Sequence, residues 1–231
     1  MEITFIAHSC FAVATQNALI VFDYWHDGEV VRLQDLVAKH AGKRHYFVVS
    51  HFHEDHYNEA ILRFGDARFL LSYDTVKRRR IDRTVPTAIL RPGDTYSDEC
   101  LQLKACRSTD VGISTLVALP DGTTVYHAGD NNNWYFPDDG REHIHCTLRE
   151  MEGLFAASLN DVYETTRTVD HAMFPIDPRL GDNALRGIRQ WLKKIPTRWL
   201  YPMHCWERWS EVRELCTRLQ NDFPGTHIKK L

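Results

Sequence analysis

The sequence lacks the features that mark a membrane-spanning or exported chain. No apolar run approaches the roughly 20 residues that cross a bilayer as a helix. Residues 1–5 carry neither the basic segment nor the sustained apolar segment of a signal peptide. Positive charge is not in excess either, because 28 lysines and arginines stand against 31 aspartates and glutamates, for a formal net charge of −3. We therefore expect a cytoplasmic chain with no membrane span that is not a general binder of polyanions.

Paired cysteines and basic tracts are also scarce. None of the six cysteines forms a C-x-x-C pair, and a chain of 231 residues that is 43% hydrophobic can bury enough core to do without disulfides. We expect free thiols and a single domain over residues 1–231. The one basic run, at 77–80, is flanked by Asp74 and Asp82. We interpret it as a solvated face and expect no nucleic-acid partner.

Hydrophobic periodicity predicts two similar α/β halves, with sheets inside and helices outside. In the first half the predicted strands cover 2–7, 10–14, 18–22, 46–50 and 67–71, and the predicted helices cover 30–40 and 57–64. In the second half the predicted strands cover 101–106, 114–119, 123–127, 171–174 and 198–201, and the predicted helices cover 147–158, 182–194 and 210–219. Ser210 is the expected cap of the last helix.

A dense group of ligand-type side chains follows the apolar strand at 46–50. His51 and His53 are two residues apart, so in an extended segment their rings point the same way. Asp55 and His56 come next, at a turn. Imidazole and carboxylate together suit zinc, iron or manganese. A chance cluster of surface histidines would not account for its position at the end of a buried strand, so we predict a metal site.

The segment from His51 to His56 reads H-x-H-x-D-H and resembles the signature of the metallo-β-lactamase superfamily. Two weaker elements follow in the family's order. Gly129-Asp130 resembles its bridging aspartate, and His204 resembles its last histidine. The resemblance implies a mixed α/β (α+β) chain with a four-layer αββα metallo-β-lactamase fold.

Two N-terminal elements extend the resemblance. His8-Ser9 after the first strand and Asp23 after the third resemble elements of one branch of the superfamily. That branch includes lactonase-like and N-acyl-phosphatidylethanolamine phospholipase-like members.

The resemblance also implies a set of metal ligands. His51 and His53 would hold a first metal, Asp130 would bridge, and a second metal would be held by Asp55, His56 and His204. We expect one or two divalent ions, with zinc as the leading choice and manganese or iron as alternatives.

One loop departs from the family pattern. The family usually supplies a further first-metal histidine in a short loop, but residues 108–114 read STDVGIS and contain none. Asp110 could replace the histidine as an oxygen ligand, or Thr109 could leave the position open. Alternatively, Asp110 only caps the loop.

Asp55, His8 and Arg179 are the candidate catalytic residues. His8 could donate a hydrogen bond to a substrate or to a metal-bound water, or it could cap the first hairpin. Arg179 could bind a carboxylate or phosphate with its planar fork, or it could pair with Asp177 and brace its loop. His127 could lie beneath the site or pack in the core.

Aromatic and histidine residues near these segments have alternative roles. Trp134, Trp206 and Trp209 are candidates for the pocket wall or for the core. His143 and His145 form an H-x-H pair in a charged segment, and we interpret them as surface residues.

These residues together predict a metal-dependent hydrolase. We expect a metal-bound hydroxide to attack an ester, lactone, amide or phosphodiester bond of a small molecule. The alternative is a non-hydrolytic redox or sensor protein of the same fold. Homo-oligomerisation is left open.

Overall fold

The first half of the chain forms a six-stranded sheet in the computed structural model, which describes residues 1–136 and 146–229. Its strands lie side by side in chain order: β1 Glu2–Ala7, β2 Cys10–Ala14, β3 Ala18–Phe22, β4 Arg44–Val49, β5 Arg68–Ser72 and β6 Ala88–Leu90. Strands β1 to β3 pair antiparallel, and β3 to β6 pair parallel.

The second half repeats this plan in a seven-stranded sheet. Its strands, again neighbours in chain order, are β7 Thr95–Ser97, β8 Gln102–Cys106, β9 Ser114–Ala118, β10 Thr124–His127, β11 Val169–Pro175, β12 Thr197–Met203 and β13 His227–Ile228. Strands β7 to β10 pair antiparallel, and β10 to β13 pair parallel.

Helices connect the parallel strands, as the crossover geometry of parallel sheets requires. The α-helices are α1 Leu33–Lys39, α2 Tyr73–Arg78, α3 Leu148–Thr165, α4 Arg186–Lys194 and α5 Trp209–Asp222, and two 3₁₀ helices cover Glu59–Arg63 and Pro178–Asn183. Within the described ranges no helix is both long and apolar enough to cross a membrane.

The first sheet is buried on both faces, because alternate side chains along its strands pack into two different apolar layers. Ile20 and Phe22 of β3 face the second sheet, whereas Leu19 and Val21 pack in the outer layer with Leu33 of α1 and other helical residues. This period of two is the geometry of a strand buried on both faces. Together with α3, α4 and α5 packed with the second sheet, it confirms the predicted αββα fold.

Three helix predictions need correction. The helix expected over 57–64 is the 3₁₀ helix Glu59–Arg63. The helix expected over 182–194 begins at Arg186, because the preceding residues form a separate 3₁₀ helix in which Gly181 has a φ of 56°. Ser210 does not cap the last helix, which begins at Trp209 after Arg208 with no side-chain cap.

Candidate metal centre

The predicted ligands meet where strands of both sheets end. His51 and Asp55 follow β4 of the first sheet, and Asp130 and His204 follow β10 and β12 of the second. The β1–β2 turn adds His8. Carboxyl ends of parallel strands meet at one sheet edge, which is where open α/β sheets hold their ligands.

Eight side chains fall into two groups of potential metal ligands. Within each group one donor atom per residue lies within 4.8 Å of all the others. The first group comprises His51, His53, Asp110 and Asp130, and the second group comprises His8, Asp55, His56 and His204.

Asp130 connects the two groups. Its Oδ2 is 3.5 Å from His51 Nε2. Its Oδ1 is 3.1 Å from His56 Nε2 and 3.4 Å from His204 Nε2. The two oxygens of one carboxylate therefore face different groups, which is the arrangement that a bridging ligand needs.

Buried carboxylates fix the orientation of two histidines in the second group. His56 Nδ1 lies 2.8 Å from Asp23 Oδ2, and His204 Nδ1 lies 3.0 Å from Asp177 Oδ2. A carboxylate only accepts hydrogen bonds, so each ring must donate through Nδ1–H. Each Nε2 is thereby directed at Asp130, and in the neutral ring its lone pair can bind a metal. Burial opposes protonation of His56, but Asp130 and Asp23 outweigh it and raise the pKa of that ring, so a metal bound there would displace a proton.

Ser50 fixes the orientation of His51 in a similar way. The Ser50 hydroxyl donates to Asp23 Oδ2 at 2.6 Å, and it lies 2.9 Å from His51 Nδ1. Because the hydroxyl hydrogen is already used, Ser50 must accept the Nδ1–H of His51. Asp23 therefore orients His56 directly and His51 through Ser50.

Several buried atoms at the centre of the two groups lack a hydrogen-bond partner among the described residues. They are His8 Nε2, His51 Nε2, His56 Nε2 and Asp130 Oδ1. Leaving a buried polar atom unpaired costs about 1–3 kcal/mol. Converging imidazole nitrogens and a carboxylate oxygen match the donor set of a divalent transition metal, so these residues fit such an ion and support divalent metal binding.

The charge states follow from burial and from the neighbouring groups. Burial lowers the pKa of His51 to about 3, so its ring is neutral at physiological pH. Burial opposes ionisation of Asp130, but His56, His204 and His51 outweigh it and hold the pKa of that carboxyl well below its usual range. The first group therefore combines a neutral imidazole with an ionised carboxylate, which are the ligating forms.

Backbone strain is concentrated around the two groups. The φ angles of His8, Asp23 and His204 are 50°, 45° and 59°, in the left-handed region that non-glycine residues seldom adopt. Gly112 has a φ of 77°, and a Cβ there would lie 2.1 Å from the Ser50 carbonyl oxygen and 2.6 Å from His51 Cβ. The loop can approach His51 this closely only because residue 112 is glycine.

The loop that lacks the family's histidine brings Asp110 to the first group. Its Oδ2 is 3.7 Å from His53 Nδ1, and both side chains are partly exposed. The Thr109 hydroxyl instead donates to the Asn132 carbonyl at 2.6 Å and accepts the Asn132 N–H at 3.0 Å. Thr109 therefore stabilises the loop, and Asp110 is the residue placed to act as a ligand.

Arg179 adopts the bracing arrangement. Its Nε lies 2.9–3.0 Å from both carboxylate oxygens of Asp177, and its Nη2 also pairs with Oδ2. Since Asp177 also orients His204, Arg179 supports the second group through that carboxylate. Binding of a substrate anion by Arg179 remains a prediction.

His127 and Trp134 pack beneath the site. His127 Nε2 lies 2.8 Å from the Ser9 carbonyl oxygen, and its ring stacks on Phe22 with centroids 5.0 Å apart. Trp134 is buried, and its indole N–H donates to the Asp130 carbonyl at 2.8 Å. Both residues therefore support the loop that carries Asp130.

The other two aromatic candidates, Trp206 and Trp209, lie beside β1 and the turn that follows it. Trp206 contacts His8, with centroids 4.6 Å apart, and Trp209 packs edge-on against Phe5. The H-x-H pair at 143 and 145 lies outside the described residues.

Comparison with known families and structures supports the family assignment. The family model described as beta-lactamase superfamily domain matches residues 2–204. No curated protein matches the chain. Among solved structures, Igni18, a metallo hydrolase from the archaeon Ignicoccus hospitalis, is 18% identical with a TM-score of 0.68. The match covers 99% of this chain and 94% of Igni18.

Two further structures share the fold. An isothiocyanate hydrolase from Delia radicum gut bacteria is 15% identical with a TM-score of 0.59, covering 99% of this chain and 96% of that one. CmlA, a diiron beta-hydroxylase from Streptomyces venezuelae, is 12% identical with a TM-score of 0.65, and the match covers 99% of this chain but 52% of CmlA. At these identities the likeness shows the fold alone.

Proposed function

The chain belongs to the family of beta-lactamase superfamily domains, and on this premise we propose that it is a hydrolase that binds two divalent metal ions and cleaves a small molecule. The bond would be an ester, lactone, amide or phosphodiester. His8-Ser9 and Asp23 support a place near the lactonase-like and N-acyl-phosphatidylethanolamine phospholipase-like branch.

The observation that carries this proposal is the orientation of the histidines. His51, His56 and His204 each have Nδ1 beside an oxygen acceptor and Nε2 directed at Asp130. A structural role in a core would not require three imidazole Nε2 atoms to converge on one carboxylate, whereas metal ligation does.

We assign the ligands by group. The first metal would be held by His51, His53, Asp110 and Asp130, and the second by Asp55, His56, His204 and Asp130. Bound ions would act as Lewis acids on a carbonyl or phosphoryl oxygen and lower the pKa of a water molecule.

The chain's own residues would then orient the reactants and carry protons. Asp55 Oδ2 is 3.3 Å from His8 Nε2, so His8 lies at the edge of the second group, where it can donate a hydrogen bond to a substrate. His8 and Asp130 are buried, which limits competing bulk water. The positions of Asp55 and His8 support their roles as candidate catalytic residues.

Zinc is our first choice of metal, and the Asp110 carboxylate favours harder ions more than a histidine would. This feature also supports a second candidate, a di-iron protein that uses oxygen, because CmlA is a diiron beta-hydroxylase with a similar fold. Metal analysis separates the two candidates.

The test measures metal content and hydrolysis in the same preparations. Purified protein would be analysed for zinc, manganese and iron, then assayed on chromogenic esters, lactones, amides and phosphodiesters. Asp130→Asn should lose both metal and activity, whereas His227→Ala, which changes an exposed histidine, should keep both. Iron with oxygen consumption and no hydrolysis would support the alternative, and failure to bind any divalent metal would refute both.

A further inference from the structure

A cavity of about 870 Å³ lies directly beside the second group. Its lining comes from the end of β1, from the segment after β3 and from the segment after β12. The residues that give it its character are Phe5, His8, Trp25, Val31, Trp206 and Trp209. Its size falls within the roughly 300–1,000 Å³ typical of small-molecule sites.

His8 is the wall shared by the cavity and the second group. On one side its Nε2 is 3.3 Å from Asp55 Oδ2. On the other side its ring contacts Trp25 and Trp206 edge-on, with centroids 5.4 Å and 4.6 Å apart. A molecule that fills the cavity therefore ends at His8, whose Nε2 lies 3.3 Å from the Asp55 carboxylate.

The lining indicates the chemistry of the occupant. Three indoles and a phenyl ring supply large apolar faces, and Val30 at the same cavity is 93% exposed. The charged lining residues Glu29, Glu207 and Arg213 are of both signs and do not form a site for one ion. Such a surface gains most by burying an uncharged apolar group.

We propose that this cavity is the subsite for the apolar part of the substrate, an uncharged alkyl or aryl chain. The scissile bond would lie at the His8 end. This position of the scissile bond rests on the proposed function, whereas binding of the alkyl or aryl group does not.

The first experiment measures affinity for alkyl hydroxamates, whose head group chelates metal, by the fluorescence of the cavity tryptophans. Full burial of a methylene is worth about fourfold in affinity. We expect octanohydroxamate to bind metal-loaded protein at least tenfold more tightly than acetohydroxamate. Equal affinities would overturn the proposal.

Two variants test whether the alkyl group of the hydroxamate binds in this cavity. Val31→Trp fills the cavity. It should abolish the gain in affinity from octanohydroxamate over acetohydroxamate while leaving the acetohydroxamate affinity unchanged. Trp206→Ala removes an apolar wall and should reduce the gain without adding bulk. The matched control is Val85→Trp in a separate surface cavity lined by Arg78, Arg79 and Arg80. If Val85→Trp abolished the gain and Val31→Trp did not, the subsite would lie elsewhere and the proposal would fail.

A metal-free titration separates this proposal from the proposed function. Octanamide, which lacks the chelating group, should bind metal-free wild type more tightly than acetamide and should lose that advantage in Val31→Trp. This result would support the subsite even if no hydrolysis were found. Hydrolysis of short substrates with no effect of chain length on binding would leave the function standing and overturn the subsite.

Discussion

Replacing Asp23 by asparagine tests whether the buried carboxylate controls metal affinity through the orientation of a histidine. Asp23 Oδ1 accepts the Ser50 N–H at 2.7 Å, and Oδ2 accepts from the Ser50 hydroxyl and from His56 Nδ1. Asparagine has the same shape and tolerates the left-handed backbone at residue 23, where φ is 45°. The substitution therefore changes the hydrogen-bonding groups of the side chain with little change in its volume.

The amide has one favourable orientation. Its oxygen must face the Ser50 N–H, because the opposite orientation would place an NH₂ group against that donor. The NH₂ group then replaces Oδ2 and points a donor at His56 Nδ1. His56 can accept this bond only by moving its proton to Nε2, and the lone pair directed at Asp130 is lost.

The expected magnitude is a 10- to 100-fold loss of affinity at the second metal, the usual effect of altering a residue that hydrogen-bonds a metal ligand. This corresponds to about 1.4–2.7 kcal/mol. The first metal should lose less, because Asp23 reaches His51 only through Ser50.

Competition with a chromogenic chelator, together with metal counted per chain, measures both affinities. Asp98→Asn is the matched control, because Asp98 accepts the hydroxyls of Tyr46 and Tyr96 outside the two groups. Circular dichroism would establish that each variant is folded. If folded Asp23→Asn bound both metals as wild type does, the argument from histidine orientation would be refuted.

Substitutions in three other parts of the site test the remaining assignments. Combined His51→Ala and His53→Ala should remove most bound metal while circular dichroism stays unchanged, and wild-type metal content would disprove the first group. Asp110→Ala should lose the first metal and keep the second, and Asp110→His should raise first-site zinc affinity; two retained metals in Asp110→Ala would show that Asp110 is no ligand. Arg179→Lys should lower stability by about 1 kcal/mol with little change in KM, as measured by thermal melting and kinetics; a large rise in KM would instead show that Arg179 binds a substrate anion.

Strands were predicted well because their signal is local. The ranges 2–7, 10–14 and 18–22 coincide with β1, β2 and β3, and each is a short apolar run bounded by polar or turn residues. The short strands β6, β7 and β13 were missed, since two or three residues give too little periodicity to recognise. Whether residues 1–231 form a single domain remains a prediction.

Helix boundaries were predicted less well because tertiary packing overrides local signals. Ser210 is a favourable cap by residue type, yet α5 begins one residue earlier, where Trp209 packs on Phe5. By contrast, Thr147 and Glu150 form a complete capping box, and α3 begins at residue 148 as the predicted range of 147–158 implied. The same helix continues to Thr165, seven residues beyond that range.

The sequence alone indicates the candidate ligands but not the residues that orient them. The H-x-H-x-D-H motif places four candidates within six residues, so the pattern is visible in the sequence alone. Asp23 and Ser50 are 27 residues apart, and His204 is 27 residues from Asp177. Those contacts exist only after the strands align, and the signal that could have suggested them was the position of Asp23 directly after β3 and of Asp177 two residues after β11.

The two groups differ in rigidity and in exposure to solvent. In the second group His56 and His204 are buried and each is fixed by a buried carboxylate. In the first group His51 is equally constrained, but the side chains of His53 and Asp110 are 41% and 37% exposed. Burial and the neighbouring Asp130 nevertheless raise the pKa of Asp110, so its ionised form is destabilised in the metal-free chain. A cation bound between His53 and Asp110 would offset that destabilisation, and because it would lie at the more exposed part of the site we expect it to exchange more readily than the second metal.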